Sequence, residues 1–144
     1  YEILDENYIT EPYVSDDSKL FSGWNVLQKY RIVFLKNDTD FIQHEIVKLS
    51  SENKTTEFQT GLIDNIDDVG YDFSSIDVQP IGNISLLFEA NTQIDNTNVT
   101  IYLLTFNYQD LVTIIQTSNI DQETITAYAN IVYNNIITVT ENRL

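Results

Sequence analysis

From residue 24 to residue 36 the chain sets Trp24, Val26, Tyr30, Ile32 and Phe34 against Asn25, Lys29 and Arg31. That period of two predicts a strand with one wet face. The polar run Asn37-Asp38-Thr39-Asp40 ends it, and Phe41 to Leu49 reads as a second strand folding back as a hairpin. The period then lengthens. Phe58, Leu62 and Ile66 recur at four-residue spacing behind Ser51, whose hydroxyl suits a helix N-cap, so a short helix is predicted, giving out at Asp67-Asp68-Val69-Gly70. Four further runs, Ile76 to Ile81, Ile84 to Ala90, Val99 to Phe106 and Leu111 to Thr117, are separated by polar turns and read as successive antiparallel strands. Both faces of Val99 to Phe106 are apolar, which predicts a central strand covered on both sides. Ile125, Tyr128, Ala129, Val132 and Ile136 then fall at helical spacing, a stripe read as core, with Ser118 or Asn119 as cap and Asp121 and Glu123 in the dipole-favoured first turn. The predicted order is β-β-α-β-β-β-β-α: an α+β domain, an antiparallel β-sheet of about six strands with two packed helices.

This domain spans 19–144, with no linker, repeat or low-complexity tract to divide it. Ahead of it, 1–18 reads as an N-terminal acidic arm or stalk. Tyr1, Ile3, Tyr8, Ile9, Tyr13 and Val14 make the arm too apolar for a pure linker and suggest a strand offered to a neighbour's sheet edge. The absence of Met and the start at Tyr1 suggest a processed or trimmed front, which leaves room for a signal peptide or lipid anchor ahead of it. No apolar run reaches the roughly 18 residues that would span a bilayer.

The net charge of −15 is unevenly spread. Residues 1–18 hold six acids and no base, residues 19–54 six bases and four acids, and residues 55–142 twelve acids and no base. Such a surface repels phosphate backbones and acidic lipid, so nucleic acid is not expected as a partner. A net charge of this size favours a soluble monomer. The mildly basic 19–54 segment also permits head-to-tail association with an acidic face of another copy.

Little in the chain supports catalysis. Cysteine is absent, the one histidine, His44, has no second His to share a metal with, and no serine stands in a Gly-x-Ser-x-Gly setting. His44 reads as a strand-surface or core residue. Gly23, Gly61, Gly70 and Gly82 are isolated, so no glycine loop cradles a phosphate, and no cofactor is expected. The acid-rich stretch carrying Asp64, Asp67, Asp68 and Asp72 is the best candidate for calcium, which takes six to eight oxygen ligands, although its spacing is not that of an EF-hand. Asn37, Asn53, Asn83 and Asn98 each stand in an Asn-x-Ser/Thr sequon and are the candidate sites of N-linked glycans.

The run Ile81-Gly82-Asn83-Ile84-Ser85, the two strands and the final helix with Ala127, Ala129 and Ile131, together with a Trp-bearing strand near Phe21 to Trp24, resemble PsbP-like domains over about 120 residues. Where those domains often have Pro before the Trp, this chain has Ser22-Gly23. The resemblance implies a small secreted or lumenal accessory domain that binds rather than catalyses. It carries over no functional residues. The expectation is a non-catalytic extracellular or cell-surface interaction and assembly domain, docking on a larger protein complex or on its own copies. The alternative is a small-ligand, carbohydrate or calcium-binding module.

Overall fold

The computed structural model of the chain describes residues 2–9, 13–14, 25–37, 39–65 and 71–141. Its strands are β1 (Glu2–Ile9), β2 (Tyr13–Val14), β3 (Asn25–Val26), β4 (Gln28–Leu35), β5 (Phe41–Lys48), β6 (Ser74–Ile76), β7 (Ser85–Ile94), β8 (Thr97–Tyr108) and β9 (Leu111–Ser118), and its helices are α1 (Glu52–Asn65) and α2 (Gln122–Glu141). The six predicted strands and the two helices are present in the predicted order, β-β-α-β-β-β-β-α. All six pair antiparallel in one open sheet, which β1 extends to seven in the order β1-β4-β5-β9-β8-β7-β6. The strand expected to be offered to a neighbour is paired with the chain's own β4, from Glu2 opposite Leu35 to Ile9 opposite Lys29, with a register shift between Ile3 and Asp5. β2 and β3 form a separate two-residue ladder.

Directly opposed residues in an antiparallel ladder share a face, so the register sorts the side chains into two cores. Ile46, Ile115, Leu104 and Leu87 fall on the face that α2 covers, with Phe106, Ile125, Ala129 and Ile136. Val47, Val112, Leu103 and Phe88 fall on the other, which Phe58 and Leu62 of α1 close. β8 lies between β9 and β7, and every residue from Ile101 to Asn107 is buried, as its two apolar faces predicted.

Three local predictions are corrected. The strand expected over Ile76 to Ile81 is only Ser74–Ile76, because Pro80 has no N–H for a ladder. Gly82 then turns the chain at φ 67°, where a Cβ would collide with the carbonyl oxygen of Asn107. β7 and β8 run further than expected, since Asp95 (φ 50°) and Asn96 (φ 66°) alone make the hairpin loop. Ser51 caps α1, its Oγ accepting from the Lys54 N–H at 3.2 Å. The cap of α2 is neither Ser118 nor Asn119 but Asp121, whose Oδ1 accepts from the Thr124 N–H at 2.7 Å. Ser118 donates its hydroxyl to the Thr39 carbonyl (2.5 Å), and Asn119 donates through Nδ2 to Asp40 (2.6 Å), so both latch the β4–β5 turn to the end of β9.

Candidate binding cleft

α2 contacts β8 and β9, and the sheet continues past it to β5 and β4. A cleft of about 410 Å³ remains between the last half of the helix and these two strands. Tyr30, Ile46, Leu111, Val132, Ile136 and Val139 give it apolar walls, and Gln28, Lys48, Asn135 and Thr140 add polar groups. Its volume lies within the usual range for small-molecule sites, roughly 300–1,000 Å³.

His44 is part of the lining and is only 5% exposed. It stands on the α2 face because β5 places it opposite Ile32 and Ile115. Its Nδ1 lies 3.4 Å from the Tyr128 hydroxyl, a long contact, with the two rings edge to face at 5.8 Å. Nε2 is buried and has no hydrogen-bond partner. Desolvation disfavours the charged imidazolium and pulls the pKa down to about 4, so the ring is neutral at physiological pH. Burial likewise raises the Tyr128 phenol.

The charged residues in the lining are Lys29 and Lys48, both cations in a strongly acidic chain. Lys29 is buried and held by Glu45 at 3.3 Å. Glu45 also accepts from Gln43 at 2.9 Å and lies 3.9 Å from the Arg31 Nε. Lys48, at the end of β5, is partly exposed and loosely paired with Asp110 at 3.7 Å. Exposed pairs of that kind contribute only about 0–1 kcal/mol, which leaves Lys48 open to exchange its partner.

The residues singled out in the sequence lie elsewhere. Asp64 is exposed in the last turn of α1 and Asp72 is exposed beyond it, while Asp67 and Asp68 lie outside the described residues. Among the described residues no group of three or more metal-ligating side chains comes together. Trp24 and positions 1, 10–12 and 15–18 of the arm are also outside them. Asn37, Asn53, Asn83 and Asn98 are all exposed. Asn37 uses Oδ1 to accept from the backbone of Thr39 and Asp40 (2.9 Å each), and Asn83 donates through Nδ2 to Glu52 (3.1 Å). The cleft itself was hidden in the sequence, because Val132 and Ile136 belong to the stripe that reads as core. Only the isolated histidine among apolar strand positions marked the place.

The outer face of α2 is the second distinctive surface. From Thr124 to Thr140 the helix carries no charge. Ile131 is 61% exposed and Val139 52% exposed on it, beside Asn130, Asn134, Asn135 and Thr138. The outer face of α1 shows Glu52, Lys54, Glu57 and Asp64, with Lys54 and Glu57 paired at 3.2 Å.

No protein family, curated protein or solved structure matches this chain. Among the described residues no helix is long and apolar enough to cross a membrane.

Proposed function

We propose that the protein is a non-catalytic assembly domain that self-associates through the outer face of α2. The supporting observation is the charge-free stretch from Thr124 to Thr140 with Ile131 and Val139 exposed, in a chain of net charge −15. Two such chains repel one another over most of their surfaces, and an uncharged face is where they approach at least electrostatic cost. A twenty-residue helix presents a ridge about 30 Å long. Around a two-fold axis that ridge meets its own copy, with Ile131 and Val139 supplying the apolar centre. The four exposed sequon asparagines, Asn37, Asn53, Asn83 and Asn98, support a secreted or cell-surface setting in which they carry N-linked glycans.

Sedimentation velocity at low and high ionic strength, about 0.02 and 1 M, tests this reading. Association driven by apolar burial and opposed by like charge strengthens as salt screens the repulsion. Head-to-tail pairing of the basic 19–54 segment with an acidic surface weakens instead. The expected result is a salt-strengthened dimer abolished by Ile131→Glu with Val139→Glu. A monomer at both salt concentrations, or a dimer indifferent to the double substitution, overturns it. The cleft favours a second reading, small-ligand binding, through its concave apolar walls.

A further inference from the structure

We infer that the cleft between α2 and the β4–β5 hairpin is a binding site for a small amphipathic anion, with its acidic head at Lys48 and its apolar tail running inward toward His44. Three observations converge on this class of ligand.

The first is size and lining. A volume of about 410 Å³ holds roughly a dozen water-sized units, which suits a ligand of about a dozen non-hydrogen atoms. The walls offered by Ile46, Leu111, Val132 and Ile136 give water little to bond with, so an apolar tail displaces it favourably.

The second is charge. The chain has seven bases against twenty-two acids, yet among the described residues no acid lines the cleft. Lys29 is committed to the buried pair with Glu45, whereas Lys48 sits at the strand end with its side chain 41% exposed and only a 3.7 Å contact to Asp110. An acidic headgroup at Lys48 replaces a weak partner with a stronger one. A cationic or neutral head gains nothing there.

The third is His44. A ring 5% exposed and kept neutral by desolvation makes the inner end of the cleft a dry place, unfavourable for a charge and open to an alkyl chain. The polarity of the cleft therefore runs from the cation at Lys48 to the dry interior at His44, and this gradient orients the ligand. The cleft shares Asn135 and Val139 with the outer face of α2, but Lys48, Ile46 and Leu111 belong to the sheet, so Lys48→Glu tests the cleft without altering that face.

Decanoate, with twelve non-hydrogen atoms, is the probe. Calorimetric titration of the full chain is expected to give saturable one-to-one binding that tightens roughly fourfold per methylene from hexanoate to decanoate. Decyltrimethylammonium, of matched tail and opposite charge, is expected to bind at least tenfold more weakly. Lys48→Glu, a rim substitution that leaves the core intact, weakens decanoate roughly fivefold or more. Val132→Phe fills the cleft and abolishes binding, with circular dichroism confirming that the variant folds. His44 is the only histidine, so its imidazole signals are unambiguous by NMR and shift on adding decanoate. No saturable binding, equal affinity for the anionic and cationic probes, an unchanged affinity in Lys48→Glu, or binding that leaves the His44 signals in place would each overturn the inference.

Discussion

The two helices cover opposite faces of one sheet and are held there by different chemistry. α1 is pinned by polar bonds. Thr55 donates to the carbonyls of Glu52 (2.7 Å) and Gln109 (3.0 Å) and accepts from Asn107 Nδ2 (3.3 Å), while Asn107 Oδ1 accepts from the Ile84 N–H (2.8 Å). α2 rests on apolar and aromatic contact, with Tyr133 edge to face against Phe106 (5.7 Å) and Tyr108 (5.9 Å). The outward faces differ in the same sense, since that of α1 is charged and α2 carries no charge from Thr124 to Thr140. Hydrogen bonds fix a helix at one height and azimuth, and water solvates what is left over. A helix seated by non-directional contact leaves a cleft at its flank and apolar side chains on its back, and those are surfaces a ligand or a second chain can complete.

The largest test of this contrast is protonation of the α2 side. The folded pKa of His44, about 4, lies below the unfolded value near 6.5, so the unfolded chain takes up the proton first as pH falls. The contribution is absent above pH 6.5, grows as pH drops toward 4, and reaches roughly 3 kcal/mol of lost stability. Denaturant unfolding at pH 7 and pH 4 should show that loss in the native chain and a correspondingly smaller one in His44→Leu. Equal losses in the two would mean that the ring is not held dry.

A smaller effect is expected on the α1 side. Asn107→Ala removes the partner of the Ile84 N–H and of Thr55 together and is expected to cost about 2 kcal/mol. Tyr128→Phe, which removes only the long contact to His44, should cost well under about 1 kcal/mol. Unfolding midpoints of the two variants compare the pinned layer with the unpinned one, and similar losses would erase the distinction.

A further effect has the opposite sign. Gln59 on α1 is fully buried, and neither Oε1 nor Nε2 has a hydrogen-bond partner. Replacing this amide by the similarly shaped Met removes two unsatisfied polar atoms, so Gln59→Met is expected to stabilise by about 1 kcal/mol. A destabilised variant would show that the amide is satisfied in solution by water.

The fold was legible where periodicity and turn chemistry agreed. The doubly apolar β8 and the α2 stripe stated their burial directly, whereas in β4 the alternation did not: Lys29, expected on the wet face, and Val33 are buried, and Tyr30 and Phe34 are only half-buried. Ends and caps were less legible because near neighbours compete for one role. Ser118, Asn119 and Asp121 all suit an N-cap, and only the fold shows that the first two are engaged by Thr39 and Asp40. The cleft was not legible at all. A residue lining a gap and a residue filling a core have the same apolar identity, and the gap arises from where α2 stops covering the sheet, which no spacing encodes. Lys48 carried no signal either, since its place at the mouth comes from pairing opposite Gln28 and Leu111.

The ladder between β5 and β9 has a consequence for how the molecule forms. β4 with β5 is a hairpin of near neighbours, and β7, β8 and β9 make a meander of the same kind. Those two parts meet in the sheet only where Phe41 to Lys48 lies against Leu111 to Ser118, partners drawn from distant stretches of the chain. Closing that large loop bears the entropic cost that sets folding rates, so the hairpin and the meander are expected to assemble first and the seam afterwards. His44 and Ile115 face each other across it. Until the seam has closed, the cleft has only one wall, and whatever binds there acts on the last step of folding as well as on the finished protein.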